Sequence, residues 1–158
     1  GNQLGSRITV DAAEEHIFGV VVMNDWSARD VQAWEYVPLG PFLGKNFGTT
    51  VSPWVVTLDA LAEFRVAGPT QEPRPLPYLQ STLSQPSHYN VTLEAYLKPA
   101  NTPTEYLLTQ SNLKYMYWSF AQQLAHHTIN GCNMQPGDLC GTGTISGPVP
   151  CYILHYTI

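Results

Sequence analysis

Ile17 to Met23 reads IFGVVVM, a nearly unbroken apolar run rich in β-branched residues. Its length predicts a strand buried on both faces rather than a helix. Asn24 and Asp25 end the run, and Ser27 is placed to cap a short helix over Ala28 to Glu35. Gly40-Pro41, Gly44 and Gly48 predict a constrained loop. Val51 to Leu58 predicts a further strand, with Pro53 placing it at an edge or bulge. Five prolines between Pro69 and Pro86 predict an extended arm with little room for helix or central strand. Val91, Leu93, Ala95 and Leu97 alternate with polar residues, as in a half-buried strand. Its hairpin partner is placed around Leu107-Leu108, across a turn at Pro99 to Pro103. The clearest helix is expected from Leu113 to His127, where Leu113, Tyr117, Phe120 and Leu124 form one stripe. Asn112 is its expected N-cap and Asn130-Gly131 its left-handed stop. Pro136-Gly137-Asp138 predicts a turn before a Gly/Thr-rich strand through Thr144. The pattern as a whole is β-rich with two helices, in one domain without internal repeats.

Composition changes this picture in one respect. Apolar residues make up 44% of the 158 and charged residues only 12%, about half the usual charged share. That balance argues against disorder and predicts surface covered by further chain or another subunit. The net charge of −5 carries no basic stripe, so nucleic acid and anionic membrane are poor partners. No apolar run reaches the ~18 residues needed to span a bilayer. Cys132, Cys140 and Cys151 form no CxxC pair and are odd in number, which predicts reduced thiols in a cytoplasmic protein. The Asn90-Val91-Thr92 triplet is a sequon that would be silent there. Gly1-Asn2-Gln3 is neither an initiator methionine nor a signal peptide, so the chain is expected to begin inside a longer protein.

Candidate chemistry concentrates in two places. Asp25, Arg29, Gln32 and Tyr36 are spaced four, three and four apart, which on a helix brings them to one face. A carboxylate, a guanidinium, an amide and a phenol together suit a metal and the oxygens of a substrate carboxylate or carbonyl. The competing reading is a solvated face with an Asp–Arg pair, which spacing alone does not exclude. The second place is Gly40 to Thr50, where glycines surround Lys45. Its glycine spacing is one residue short for a phosphate loop, and Asn46 replaces the required Ser or Thr, which excludes a nucleotide. The Lys45 carbonyl and Thr49 hydroxyl remain possible oxygen donors to a cation, beside the plainer alternative of a tight loop with an exposed lysine. His126 and His127 are adjacent and so diverge on a helix; an imidazolium at the helix C-terminus is the expected role, not a shared metal. Gly141-Thr142-Gly143-Thr144 lacks dinucleotide flanks, but its small residues could admit a ligand beside Thr144.

Taken together, Asn24-Asp25-Trp26-Ser27-Ala28-Arg29-Asp30, the run from Trp34-Glu35-Tyr36 to Leu43-Gly44-Lys45, and Thr49-Thr50-Val51-Ser52-Pro53-Trp54 resemble the fumarylacetoacetase family. So do Lys114 to Trp118, Gln122 to Asn133 and Gly143 to Pro148. The Ser-Ala-Arg-Asp pattern is shared with the wider superfamily of acylpyruvate hydrolases and decarboxylases, whereas the stretch from Trp34 to Lys45 is far more specific. The resemblance implies an α+β fold, a β-rich mixed β-roll with two helices, in a cytosolic homodimer. It implies a hydrolase that cleaves the carbon–carbon bond of fumarylacetoacetate, a diketo acid, in the last step of tyrosine and phenylalanine breakdown. By the same resemblance Asp25 is a ligand shared by Ca2+ and Mg2+, and Lys45 and Thr49 complete this chain's share of the Mg2+ site. Gln32, Tyr36 and Thr144 would contact substrate, while Arg29, Gln32 and Lys45 would stabilise the negative charge that develops as the bond breaks. The family places its general-base histidine and further acidic ligands upstream of this sequence, and a glutamate that orients the histidine downstream. The resemblance covers a partial catalytic domain over 1–150. The tail over 151–158 departs from it and contains no Asp or Glu. The expectation is a piece of a longer protein, or a partial transcript read past its last shared exon, inactive alone and weak in metal binding. Two alternatives remain: a superfamily member acting on acylpyruvates or oxaloacetate, and a non-catalytic isoform pairing with a full-length subunit.

Overall fold

The computed structural model describes residues 1–148 and the backbone of Tyr156–Thr157; the expected divergent tail over 151–158, with Cys151, otherwise lies outside the described residues. The chain folds as a mixed α+β structure of short antiparallel strand pairs and two helices. The strands are β1 (Gly19–Val20), β2 (Met23–Asp25), β3 (Thr49–Val51), β4 (Val56–Thr57), β5 (Arg65–Val66), β6 (His88–Tyr89), β7 (Thr92–Leu97), β8 (Tyr106–Asn112) and β9 (Tyr156–Thr157). The helices are α1 (Arg29–Glu35), between β2 and β3, and α2 (Phe120–Thr128), after β8. β1 pairs with β4, β5 with β6 and β7 with β8, while β2 lies between β3 and β9.

The apolar run at 17–23 is not one doubly buried strand. It divides between two sheets: β1 joins β4, and β2 joins β3, leaving Phe18 and Val22 exposed. The crossing point is held by the Ser52 N–H, which donates to the Val22 carbonyl at 2.8 Å. The strand expected at 51–58 divides at the same level. Pro53 has no N–H for a ladder, and the Ser52 hydroxyl accepts the Trp54 N–H at 3.2 Å, forming a local turn that competes with pairing.

The hairpin of β7 and β8 lies where the alternation placed it, with Leu93 opposite Ser111 and Leu97 opposite Tyr106. A bulge between Ala95 and Tyr96 shifts the register, and Asn101 takes a left-handed conformation (φ 67°) at the tip. The helix expected over 113–127 is shorter. Asn112 caps only a 3-10 turn, Leu113–Tyr115, by accepting the Lys114 N–H at 3.0 Å. Met116 is extended (ψ 137°), and α2 starts afresh under a capping box. There the Ser119 hydroxyl accepts the Gln122 N–H at 3.2 Å, and the Gln122 side chain accepts the Ser119 N–H at 3.0 Å. Gly131 (φ 85°) provides the left-handed stop two residues past its end cap, Ile129. The Gly/Thr segment through Thr144 forms no strand.

The core gathers on the α2 side. Tyr89 and Leu113, each 1% exposed, pack with Leu58, Leu61, Met116, Phe120 and Ile145, and the Tyr89 and Phe120 rings lie 5.6 Å apart. Arg65 covers the Tyr89 ring at 5.0 Å and grips Glu14 through two bonds of 2.6 and 3.0 Å. The proline-rich arm is irregular, but it is pinned. Gln71 and Gln122 exchange reciprocal amide bonds of 3.0 and 2.8 Å, and Gln122 also donates to the Leu79 carbonyl. No helix among the described residues is long and apolar enough to cross a membrane.

Candidate functional site

β2, α1 and the glycine-rich loop meet around Asp25. In the antiparallel register of β2 and β3, Asp25 faces Thr49 and Asn24 faces Thr50. Asp25 is therefore on a strand, not on the helix, which starts four residues later at Arg29. Ser27 does not cap that helix. Its hydroxyl donates to the Asp25 carbonyl at 2.7 Å, and Ala28 occupies the N-cap position without any side-chain bond. Of the four residues in the four-three-four spacing, three lie on or at the end of α1. Arg29 and Gln32, one helical turn apart, are joined by an Nη1–Oε1 bond of 3.0 Å, and Tyr36 forms the C-cap.

The loop closes the other side. A 3-10 turn over Leu43–Lys45 carries Lys45 toward β2, and its ammonium donates to Asp25 Oδ2 at 2.7 Å. The loop touches α1 through its backbone: the Ala28 N–H donates to the Gly44 carbonyl at 2.8 Å. A Cβ at position 44 would come within 2.8 Å of the Gln32 nitrogen, so only glycine allows this approach. Thr144 arrives from the Gly/Thr segment, and Arg29 Nη2 reaches its hydroxyl across a long 3.4 Å. Asp25, Arg29, Gln32, Lys45, Thr49 and Thr144 are thus gathered from five separate stretches of chain.

The electrostatics follow from that assembly. Burial lowers the Arg29 pKa from its ordinary value, partly opposed by the nearby Asp25 charge. The guanidinium stays charged, but its Nε is buried with no partner among the described residues, an N–H donor held ready for an acceptor oxygen. Lys45 places a positive charge of the chain itself on the Asp25 carboxylate. The oxygen donors, a carboxylate, a hydroxyl and a backbone carbonyl, suit a hard cation such as Mg2+ or Ca2+ and not zinc. They fit a share of such a site and no more, since among the described residues no three of His, Cys, Asp and Glu come together. The two helix-end histidines point to different partners: His126 lies 2.8 Å from the Tyr78 hydroxyl, and His127 lies 3.8 Å from the Cys132 sulfur. A cavity of about 390 Å³ borders Glu14, Arg74 and His88 and includes none of the Asp25 group.

Two contributors escaped the sequence reasoning. Trp26 donates its indole N–H to the Thr50 hydroxyl at 2.9 Å, bracing β2 against β3. Glu35 accepts the N–H groups of Phe42 and Gly44 at 2.7 Å on one oxygen and that of Leu43 at 3.0 Å on the other. Desolvation raises the Glu35 pKa, but the three N–H bonds, from Gly44, Phe42 and Leu43, outweigh it and lower it overall. An acid on the last turn of a helix is ordinarily unfavourable there. That misplaced charge, followed by a glycine-rich loop, was the signal available in the sequence.

Residues 1–155 match the sequence profile described as fumarylacetoacetate (FAA) hydrolase C-terminal. The chain is 61% identical to fumarylacetoacetase of Arabidopsis thaliana over 150 residues, covering 95% of this chain and 35% of that protein. It is 59% identical to the human fumarylacetoacetase, with the same coverage, and 52% identical to that of Caenorhabditis elegans over 93% of the chain and 35% of the relative. The chain spans about a third of the length of these curated relatives. With a match that covers almost its whole length, the chain belongs to the fumarylacetoacetate hydrolase family.

Proposed function

We propose that this chain is the C-terminal catalytic portion of a fumarylacetoacetase, a hydrolase that splits fumarylacetoacetate into fumarate and acetoacetate. The observation that carries the reading is the convergence of Asp25, Lys45, Arg29 and Gln32, with Thr49 beside Asp25 in register and Thr144 within reach of Arg29. A β-diketone needs oxygen-directed positive charge on its carbonyls and fixed donors for the enolate that departs. Arg29 and Lys45 supply that charge, Gln32 an amide donor, and Thr144 and Tyr36 hydroxyls for orientation. A hard divalent cation, Mg2+ or Ca2+, held by Asp25 with the Lys45 carbonyl and the Thr49 hydroxyl, would supply Lewis-acid polarisation of the diketone.

Alone, this chain is expected to be inactive and to bind metal weakly. His126 and His127 are engaged at the far end of α2 and His88 is buried against Gly68. None of these three is hydrogen-bonded to a residue of the Asp25 group, as a general base there would be, a role worth ~10²–10⁴-fold. The exposed apolar side chains around α1 support the further proposals of a β-roll completed by more chain and of a homodimer, and the unpaired cysteines Cys132 and Cys140 support a cytoplasmic location.

The test is turnover by the full-length polypeptide that carries this sequence, followed as loss of β-diketone absorbance, on fumarylacetoacetate and on an acylpyruvate. Preference for fumarylacetoacetate is expected, with kcat falling about 10²–10³-fold in Arg29→Met. Preference for the acylpyruvate would replace the substrate assignment with the acylpyruvate-hydrolase alternative.

A further inference from the structure

We propose that Glu35 is a positioning residue, a built-in anion that chelates three successive loop N–H groups and thereby sets the Lys45 ammonium on Asp25. Its relevance to catalysis rests on the hydrolase reading above; its geometry does not. The N–H groups of Phe42, Leu43 and Gly44 all turn toward α1 and end on one carboxylate, at 2.7, 3.0 and 2.7 Å. Successive N–H groups aimed at one point form a concave anion cradle, and here the anion belongs to the protein itself. The next residue is Lys45, whose own N–H donates to the Phe42 carbonyl at 3.2 Å, so the lysine leaves the cradle in a set direction. Four residues further on, Thr49 enters β3 opposite Asp25.

The chemistry calls for a carboxylate. Both oxygens accept and neither carries a proton at neutral pH, so all three donors are met. An amide at position 35 has one acceptor and an NH2 group, which would face at least one loop N–H donor against donor. Aspartate keeps the charge but is one methylene short, and it cannot span Phe42, Leu43 and Gly44 together. Other loop contacts, among them Ala28 N–H to the Gly44 carbonyl, Gly40 N–H to the Tyr36 carbonyl, Trp26 N–H to the Gly48 carbonyl and Gly44 against Gln32, hold the loop close to α1 and β2 but do not involve these three N–H groups.

The experiment is NMR on the intact chain, comparing it with Glu35→Gln, Glu35→Asp and the control Asp30→Asn, which alters an exposed acid of the same helix. Two quantities are read: backbone amide exchange from Phe42 to Lys45, and the side-chain ammonium signal of Lys45. The chain has three lysines, Lys45, Lys98 and Lys114, and Lys45→Gln identifies the signal by its loss. Glu35→Gln is expected to speed loop exchange about 10-fold or more and to abolish the Lys45 ammonium signal, which depends on the ion pair to slow proton loss. Glu35→Asp is expected to fall between, and Asp30→Asn to match the unaltered chain. Faster loop exchange with an unchanged Lys45 signal would make Glu35 a merely structural brace and overturn the proposal, as would no change in either. Should Glu35→Gln not fold, Glu35→Asp decides alone: a weakened Lys45 signal supports the proposal and an unaltered one overturns it. Because no substrate is used, failure of the hydrolase reading would appear only in the turnover assay.

Discussion

α1 and α2 are of similar length, seven and nine residues, yet α2 buries Phe120, Gln122, Ala125 and Thr128 whereas α1 buries no side chain at all. α2 begins in a capping box, while α1 begins at Ala28 with no side-chain bond. The contrast extends to their surroundings. Around α2, apolar burial holds the structure, with Tyr89 and Leu113 almost fully enclosed. Around α1, Trp34, Val37, Leu39, Phe42, Leu43 and Phe47 stay exposed, and order comes from polar bonds: Glu35 to the loop, Lys45 to Asp25, and Trp26 to Thr50. One half of the molecule is stabilised from within. The other half is ordered by polar bonds and leaves its apolar side chains exposed.

Substitutions should separate the halves sharply. Leu113→Ala empties a site that is 1% exposed, and its expected cost is about 2–5 kcal/mol in the free energy of unfolding, read from urea titration at pH 7. A cost below about 1 kcal/mol would mean that the α2 side is not the packed half. Ser119→Ala removes one arm of the capping box of α2 and should cost about 1 kcal/mol by the same titration. Smallest is Trp34→Ser, at a side chain 89% exposed. Surface changes of this kind usually stay within ±0.5 kcal/mol in an isolated chain, and the same change should weaken any self-association measured by sedimentation.

Much of this was legible in the residues, and the exceptions have physical causes. The β7–β8 hairpin followed from alternation because, among the described residues, its two strands pair only with each other, through a ladder broken by the single bulge at Ala95/Tyr96. The runs at 17–23 and 51–58 misled because each serves two sheets, and a local pattern does not register a change of pairing partner. The stripe at Leu113, Tyr117, Phe120 and Leu124 was apolar for burial, but extended Met116 and the Ser119 cap divide it into a 3-10 turn and a shorter helix. At the site, Arg29 and Gln32 were readable as helical neighbours. Asp25 was assigned to the same face and instead comes from the adjoining strand.

From the order of residues alone came the family resemblance, a set of candidate groups and their division into a helix segment and a glycine-hinged lysine loop. Such information is local: residue chemistry, short spacings and turn preferences act over a few positions. What brought Lys45 to Asp25, Thr144 to Arg29 and three loop N–H groups to Glu35 was folding across 20, 115 and up to nine positions of chain. Those contacts depend on strand register and on the close approach of Gly44 to Gln32, and both arise only once separate segments pack against one another.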